Sequence, residues 1–146
     1  MSGKEQSMAT KIRSKLSKKN HYWIPPERYY ELKHFCLQYP DWKREYLAVD
    51  PMAHEFEQGE KLSATNRVED RTALCAERKI ECSQNMVLIE ECCEKADPEL
   101  ARYIFKAVTS NLGYTYLKSR LDMPCSKDTY YDRYHKFFWH LSHARK

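Results

Sequence analysis

The feature that most restricts the fold is a long stretch without Gly or Pro. Residues 67–96, RVEDRTALCAERKIECSQNMVLIEECCEKA, contain neither residue, and apolar or small side chains recur along them at near-heptad spacing. This pattern predicts one long helix. Lys79 interrupts the apolar stripe, so two interpretations stay open: burial against other helices of the same chain, or a homodimeric coiled coil. The stripe consists of Val68, Thr72, Cys75, Cys82, Met86, Ile89 and Cys93.

The composition of the whole chain also favours helices. Only three of the 146 residues are Gly, while 32% are charged and 42% are apolar, so turns are few and an all-α fold is predicted. No stretch reaches the roughly eighteen consecutive apolar residues that a membrane span needs, and the N-terminus lacks the apolar core of a secretory signal. We therefore expect a cytoplasmic protein without a membrane partner.

Proline residues mark the boundaries of two helices near the N-terminus. Pro26 suits a first helical turn, and apolar residues recur from there until Pro40. Asp41 is predicted to cap a second short helix, which Pro51 ends.

These boundaries and the charge pattern divide the chain into four predicted segments. Residues 1–20 are basic with few large apolar groups, which predicts a flexible arm, either one that contacts DNA or a tail that only keeps the chain in solution. Residues 21–66 are predicted to form an N-terminal helical hairpin and a connector, and residues 67–96 the long helix. Asp97 and Pro98 are a strong signal for a new helix, so residues 97–146 form the last segment.

The six cysteines invite a disulfide or zinc interpretation. No C-x-x-C pair is present, however, and helical spacing accounts for most of them. Small buried apolar groups in a reducing compartment are therefore the preferred interpretation, and no metal or cofactor is expected. The cysteines are Cys36, Cys75, Cys82, Cys92, Cys93 and Cys125.

Charge is distributed unevenly along the chain. Residues 1–20 hold six Lys and Arg against one Glu, residues 21–109 hold twelve against seventeen acidic residues, and residues 110–146 hold seven against three. Two basic ends around an acidic middle favour contact with a polyanion at the ends.

The last segment has the outline of a helix-turn-helix. A predicted helix at 98–111 ends near Gly113, a short helix YTYLKSRL follows, and Asp122 to Pro124 break the chain before a final helix. At 100° per residue, the final helix separates rings on one face from charged and polar groups on the other. The rings and Leu are Tyr130, Tyr131, Tyr134, Phe137, Phe138 and Leu141. The opposite face carries Asp128, Thr129, Asp132, Arg133, Lys136 and His140.

This segment predicts a contact with double-stranded DNA. Ser126 or Asp128 is expected to cap the final helix and to leave its N-terminal amides facing a phosphate. The predicted DNA contacts are Lys118, Arg120, Ser126, Lys127, Thr129, Arg133, Lys136 and His140, and those of the arm are Lys11, Arg13, Lys15, Lys18 and Lys19. An amphipathic terminal helix with a solvated face is the competing interpretation. Trp139 projects toward the polar side, where it covers either the N-terminal helices or a partner.

Catalysis is not expected. The chain has no Gly-rich phosphate loop, no metal-ligand spacing and no recognisable nucleophile setting. The six histidines are interpreted as scattered surface groups: His21, His34, His54, His135, His140 and His143.

Residues AVTSNLGYTYLKSRLDMPCSKDTYYDRYHKFFWHL resemble the C-terminal part of prophage-encoded late transcriptional regulators of the RinA and ArpU type, whose ends are similar to region 4 of sigma-70 factors. The Gly113 entry, the Met123–Ser126 turn and the Tyr130-Tyr131-Asp-Arg133 helix carry the resemblance. It covers about the last forty residues and, more loosely, YYELKHFCLQYP. The resemblance implies promoter binding and activation of late phage genes in a bacterial host cell, with RNA polymerase as partner. Small terminase subunits and phage anti-defence inhibitors share this architecture, which leaves a protein-binding inhibitor or assembly factor acting on a host or phage protein as the alternative.

Overall fold

The helices of the chain follow the predicted all-α class. A computed structural model describes residues 16–48 and 65–145, and every regular element within these residues is a helix. In chain order they are α1 (Pro26–Leu37), α2 (Tyr39–Ala48), α3 (Thr65–Ala96), α4 (Ala101–Ser110), α5 (Tyr114–Leu121) and α6 (Lys127–Ala144). No helix in these described ranges combines the length and the apolarity that crossing a bilayer requires.

The boundary between α1 and α2 differs from the prediction in one respect. Pro26 begins α1 as expected, but α2 begins at Tyr39 and contains Pro40 in its first turn. A proline is tolerated there because the first turn has no internal acceptor for its missing N–H. Asp41 therefore lies inside the helix rather than at its cap, and its carboxylate pairs with Arg44.

The predicted long helix is confirmed as α3, which is 32 residues long. Cys82, Met86, Ile89 and Cys93 of the predicted stripe are buried, as is Cys92. The side chains of Val68 and Thr72 lie outside the described residues. The predicted homodimer contact along this helix stays a prediction.

The chain forms two compact units, and their division differs from the predicted segments. Among the described residues, the middle unit comprises 39–48 and 65–87, and the terminal unit combines 16–38 with 88–145. Helix α1 thus belongs with the C-terminal helices rather than with α2. The predicted hairpin of α1 and α2 would join the two units, and it stays a prediction.

The middle unit contains a polar cluster between α2 and α3. Arg78 pairs with Glu45 and, at 3.3 Å, with Glu81, while the Cys82 thiol lies 3.4 Å from the Glu45 carboxylate. The hydrogen bonds from Arg78 and Cys82 lower the pKa of Glu45. The Lys79 ammonium lies 4.9 Å from the centroid of the Tyr46 ring, so the residue that interrupts the apolar stripe has an aromatic contact within its own unit.

The terminal unit has a core to which α1, α4, α5 and α6 contribute. Helix α1 packs against α4 and α6, and α4 also contacts α5. Leu32, Ile104, Leu117, Phe137 and Leu141 are fully buried, one or two from each helix. Burying such side chains stabilises a fold by roughly 1.5–3 kcal/mol each.

Arg28 fastens the beginning of α1 to the end of α6. Its Nε donates to the Ser142 hydroxyl at 3.2 Å, and one terminal nitrogen donates to the Ser142 carbonyl at 3.0 Å. Its guanidinium also binds the Arg145 carbonyl. Because the last carbonyls of a helix lack internal donors, this contact satisfies the C-terminus of α6.

All six cysteines are free thiols. Cys82 and Cys93 are buried, as their helical spacing predicted, and Cys36 and Cys92 are buried as well. Cys75 was predicted to be buried on the same stripe but is partly exposed, as is Cys125. Burial raises the pKa of Cys92 to about 11 and also raises those of Cys36 and Cys93. These three thiols are therefore poor nucleophiles at neutral pH.

Candidate nucleic-acid interface

The turn between α5 and α6 is well defined by backbone contacts. Asp122 adopts a left-handed conformation (φ 56°, ψ 43°) that ends α5, and the Met123 N–H donates to the Leu117 carbonyl at 3.2 Å. Leu117 and Met123 are both buried. The turn is therefore anchored to the core by apolar side chains on both of its sides.

Two side chains of α5 hold the same turn. The Lys118 ammonium donates to the carbonyls of Met123 at 3.0 Å and Cys125 at 3.4 Å, and the Tyr114 hydroxyl donates to the Cys125 carbonyl at 3.3 Å. Lys118 was predicted to flank a phosphate. The structure gives its ammonium an intramolecular role as well, which sequence reasoning missed.

Ser126 is the N-cap of α6. Its hydroxyl accepts the Thr129 N–H at 3.3 Å and lies 3.1 Å from the Thr129 hydroxyl. Ser126 and Asp128 were the two predicted caps, and Ser126 is the one observed. Both cap side chains are exposed, so the first turn of α6 meets solvent.

Arg133 connects α6 to the turn that precedes α4. Its Nε lies 3.0 Å from the Asp97 carboxylate, and its guanidinium also pairs with Asp132. The other Asp97 oxygen accepts the Glu99 N–H at 2.9 Å within that turn. The N-cap of α4 is Leu100, so the prediction that Asp97 caps this helix was wrong. The Asp97 hydrogen bond raises the pKa of Arg133. Sequence reasoning missed this pair because 36 residues separate its members.

Three predicted contact residues have charged groups that form no intramolecular pair among the described residues. Arg120 is exposed, and Lys127 and Lys136 are partly exposed. Within the described parts of the chain, none of the three has a hydrogen-bond or ion-pair partner. His140 lies one turn beyond Lys136, and its pKa is lowered, first by burial and then by the charge of Lys136. It therefore contributes little positive charge at neutral pH.

The ring-bearing face of α6 is mainly turned inward, and it differs from the prediction at Tyr131, Tyr134 and His135. Tyr130, Phe137, Phe138 and Leu141 are buried, while Tyr131 and Tyr134 are partly exposed. His135 is also buried, at 6% exposure, and the interpretation of all six histidines as surface groups was wrong for this one. The helical wheel contained the signal, because His135 follows Tyr131 by four residues and precedes Phe138 by three.

Trp139 is surrounded by rings from the N-terminal segment and from its own helix. Its ring centroid lies 5.1 Å from that of His21, 5.7 Å from that of Tyr22 and 4.4 Å from that of His143. Of the two predicted roles, Trp139 therefore covers the segment that leads into α1.

The predicted arm is described only at its end. Lys11, Arg13 and Lys15 lie outside the described residues. Lys18 and Lys19 are exposed and lie in a turn that the Asn20 N–H closes by donating to the Ser17 carbonyl at 2.9 Å.

Where the chain is described, no three His, Cys, Asp or Glu side chains come together as a metal site would require. No family model matches the sequence, and neither a curated protein nor a solved structure with significant similarity was found. The functional argument therefore depends on the geometry of the chain itself.

Proposed function

We propose that the chain binds double-stranded DNA through α5, the 122–126 turn and α6, and that it acts as a transcriptional regulator of the prophage type. In this proposal α6 lies in the major groove, with its first turn nearest the bases. The resemblance of the last forty residues to late phage regulators supports the finer role, activation of late genes in contact with RNA polymerase.

The observation that carries the proposal is the rigid turn that joins α5 and α6 while both helices pack on neighbouring elements of one core. Lys118 and Tyr114 fix the turn carbonyls, and Leu117 and Met123 bury its apolar side chains. A helix that contacts base edges needs such support, because each contact depends on a side chain that is positioned to within about 0.5 Å.

The charges assign different roles to the predicted contact residues. Arg120 and Lys127 are the best candidates for phosphate contacts because neither has an intramolecular partner among the described residues. Thr129, in the first turn of α6, is placed to approach a base edge. Arg133 is shared, since binding DNA through its guanidinium would require it to loosen its pair with Asp97.

A salt-dependent titration tests this proposal. We expect a labelled duplex of mixed sequence to bind measurably at low salt and more weakly as salt rises, since bound phosphates release counterions. Replacing Arg120 and Lys127 together by Ala should weaken binding roughly tenfold and should lower the slope of log K against log salt by about 2. Lys33→Ala with Lys43→Ala removes the same charge from α1 and α2 and serves as the matched control. Equal loss in both double variants would remove the assignment to α5 and α6.

A second candidate function, inhibition of a host or phage protein, is favoured by exposed apolar groups on α3. Ile80 is 57% exposed and Val87 is 43% exposed, and the two are one heptad apart on the same face. An absence of duplex binding at low salt, together with a stable complex with a protein partner that Ile80→Glu abolishes, would favour this function over the first.

A further inference from the structure

A cavity in the terminal unit lies apart from the turn between α5 and α6. It has a volume of about 170 Å³, opens partly to solvent, and lies between the segment that leads into α1, α1 itself and the middle of α6. An apolar cavity of about 150 Å³ accommodates one benzene molecule. The cavity therefore has room for a single six-membered ring.

The walls of the cavity are mainly aromatic. They are formed by Tyr22, Trp23, Tyr29, Tyr30 and Phe138, together with the buried His135. The Tyr29 ring makes edge contacts with Phe138 at 4.9 Å and with Tyr30 at 5.1 Å, measured between centroids. Such packing fixes the walls before a ligand arrives. Aromatic walls favour a flat π-system, which gains stacking and edge contacts together.

The mouth of the cavity is cationic. Lys18 contributes to its lining and lies 6.0 Å from the centroid of the Trp23 ring. Lys19 is exposed next to it in the sequence. A neutral ring, or the ring of an aromatic side chain in a protein, would leave these charges without a partner. A nucleotide in a polyanionic strand can place its ring between the aromatic walls and its phosphate at the cationic mouth.

We infer that this cavity binds one unpaired pyrimidine nucleotide of a single-stranded nucleic acid, with the base among the rings and its phosphate at Lys18. The cavity volume matches that of a site for one six-membered ring, so we expect a pyrimidine base to fit it better than the two fused rings of a purine. His135 and Phe138 of α6 line the cavity, but no residue of α5, of the 122–126 turn or of the first turn of α6 does, so the site uses other side chains than the proposed duplex interface. DNA and RNA strands carry the same chemistry at this level, so the experiment compares both.

The test uses the full chain and labelled strands of about six nucleotides, within the usual range for such sites. Fluorescence anisotropy should show that oligothymidylate and oligouridylate bind several-fold more tightly than oligoadenylate. If oligouridylate alone binds, the strand is RNA, and if oligothymidylate alone binds, it is DNA. Equal binding of oligoadenylate, or no binding of any strand, would overturn the inference.

Two variants locate the site. Ile24 also lines the cavity, and Ile24→Trp should fill it and weaken pyrimidine binding by about tenfold. Leu47→Trp adds the same side chain at a 71% exposed position of α2 and should leave binding unchanged. Lys18→Glu should weaken binding several-fold while Lys33→Glu does not, and it keeps the test valid if Ile24→Trp unfolds the chain. Retained strand binding in both Ile24→Trp and Lys18→Glu would contradict the proposed location.

The same variants separate this inference from the proposed duplex contact. The Arg120 and Lys127 double variant should bind the pyrimidine strand normally, and Lys18→Glu should lose strand binding even if the duplex does not bind at all. If strand binding instead depends on Arg120 and Lys127 and not on Lys18, the cavity is not the site.

Discussion

The phenolic hydroxyls of Tyr29 and Tyr134 lie 2.7 Å apart, and this hydrogen bond joins α1 to α6 in the terminal unit. The two rings pack edge to face, with centroids 6.4 Å apart, and Phe138 lies against both. Burial is the main reason that the pKa of Tyr134 is raised well above its usual value. This polar pair and the hydrogen bonds of Arg28 to the end of α6 together join the first described helix to the last one.

Removing one hydroxyl of this pair should destabilise the terminal unit. We expect Tyr134→Phe to lower the free energy of unfolding by about 1 kcal/mol, because the buried Tyr29 hydroxyl then lacks this partner. Urea denaturation followed by circular dichroism measures the change. Tyr116→Phe, at a 46% exposed position of α5, is the matched control and should shift stability by less than about 0.5 kcal/mol. A similar loss in both variants would assign no special role to the Tyr29–Tyr134 bond.

Alkaline pH should destabilise the fold, because it deprotonates buried thiols and phenols. Burial raises the pKa values of Cys36, Cys92 and Cys93 above the ordinary 9.0, and those of Tyr130 and Tyr134 above the ordinary 10.0. A raised pKa means that the folded state holds its proton more tightly than the unfolded state does. The stabilisation is therefore complete below about pH 9 and is lost as pH rises further, by up to about 1.4 kcal/mol per group and pH unit.

Urea midpoints measured in reductant at several pH values check this prediction. The midpoint should be level between about pH 7 and pH 8.5 and should fall steadily above about pH 9. Cys92→Ala removes one titrating thiol and should reduce the steepness of the fall. A midpoint that stays level to about pH 10.5 would be incompatible with buried neutral thiols and phenols.

Local patterns were sufficient to predict the helices, but not their partners. The Gly- and Pro-free stretch identified α3, and the Asp97-Pro98 and Gly113 signals placed the breaks around α4. These signals are local, since helix propensity and capping act within one or two turns. The grouping of α1 with the C-terminal helices was not predicted, because it depends on contacts such as Tyr29 with Tyr134, 105 residues apart.

The candidate interface shows the same limit. Helical periodicity correctly placed the rings of Phe137 and Phe138 in the core, and the cap at Ser126 was among the predicted ones. Periodicity predicts the direction in which a side chain points from its own helix. It does not predict which residues from distant parts of the sequence pack beside that side chain. The contact between Arg133 and Asp97 could therefore be found only in the folded structure. The same holds for the cavity that Trp23 lines.

The pair formed by Arg133 and Asp97 should couple α6 to the start of α4. Asp97→Asn keeps an oxygen that can accept the Glu99 N–H but removes the charge, and we expect a loss of about 0.5–1 kcal/mol because both side chains remain partly exposed. In an Arg133→Gln background the same change should cost much less, and the difference between the two costs is the coupling energy. Urea denaturation of the four proteins measures it. Identical costs in both backgrounds would show that Asp97 acts only through the turn that precedes α4 and not through Arg133.

The conformation of Asp122 makes the turn before α6 sensitive to side-chain shape. Its left-handed backbone costs an L residue roughly 1–2 kcal/mol, and a β-branched side chain tolerates it least. Asp122→Gly should therefore be close to neutral, whereas Asp122→Val should destabilise the unit by about 1–2 kcal/mol and should weaken duplex binding by displacing the first turn of α6. Thr115→Val, at an exposed helical position of α5, introduces the same side chain without the backbone conflict and is the control. Equal stability and equal duplex binding of the Gly and Val variants would mean that the turn does not set the orientation of α6.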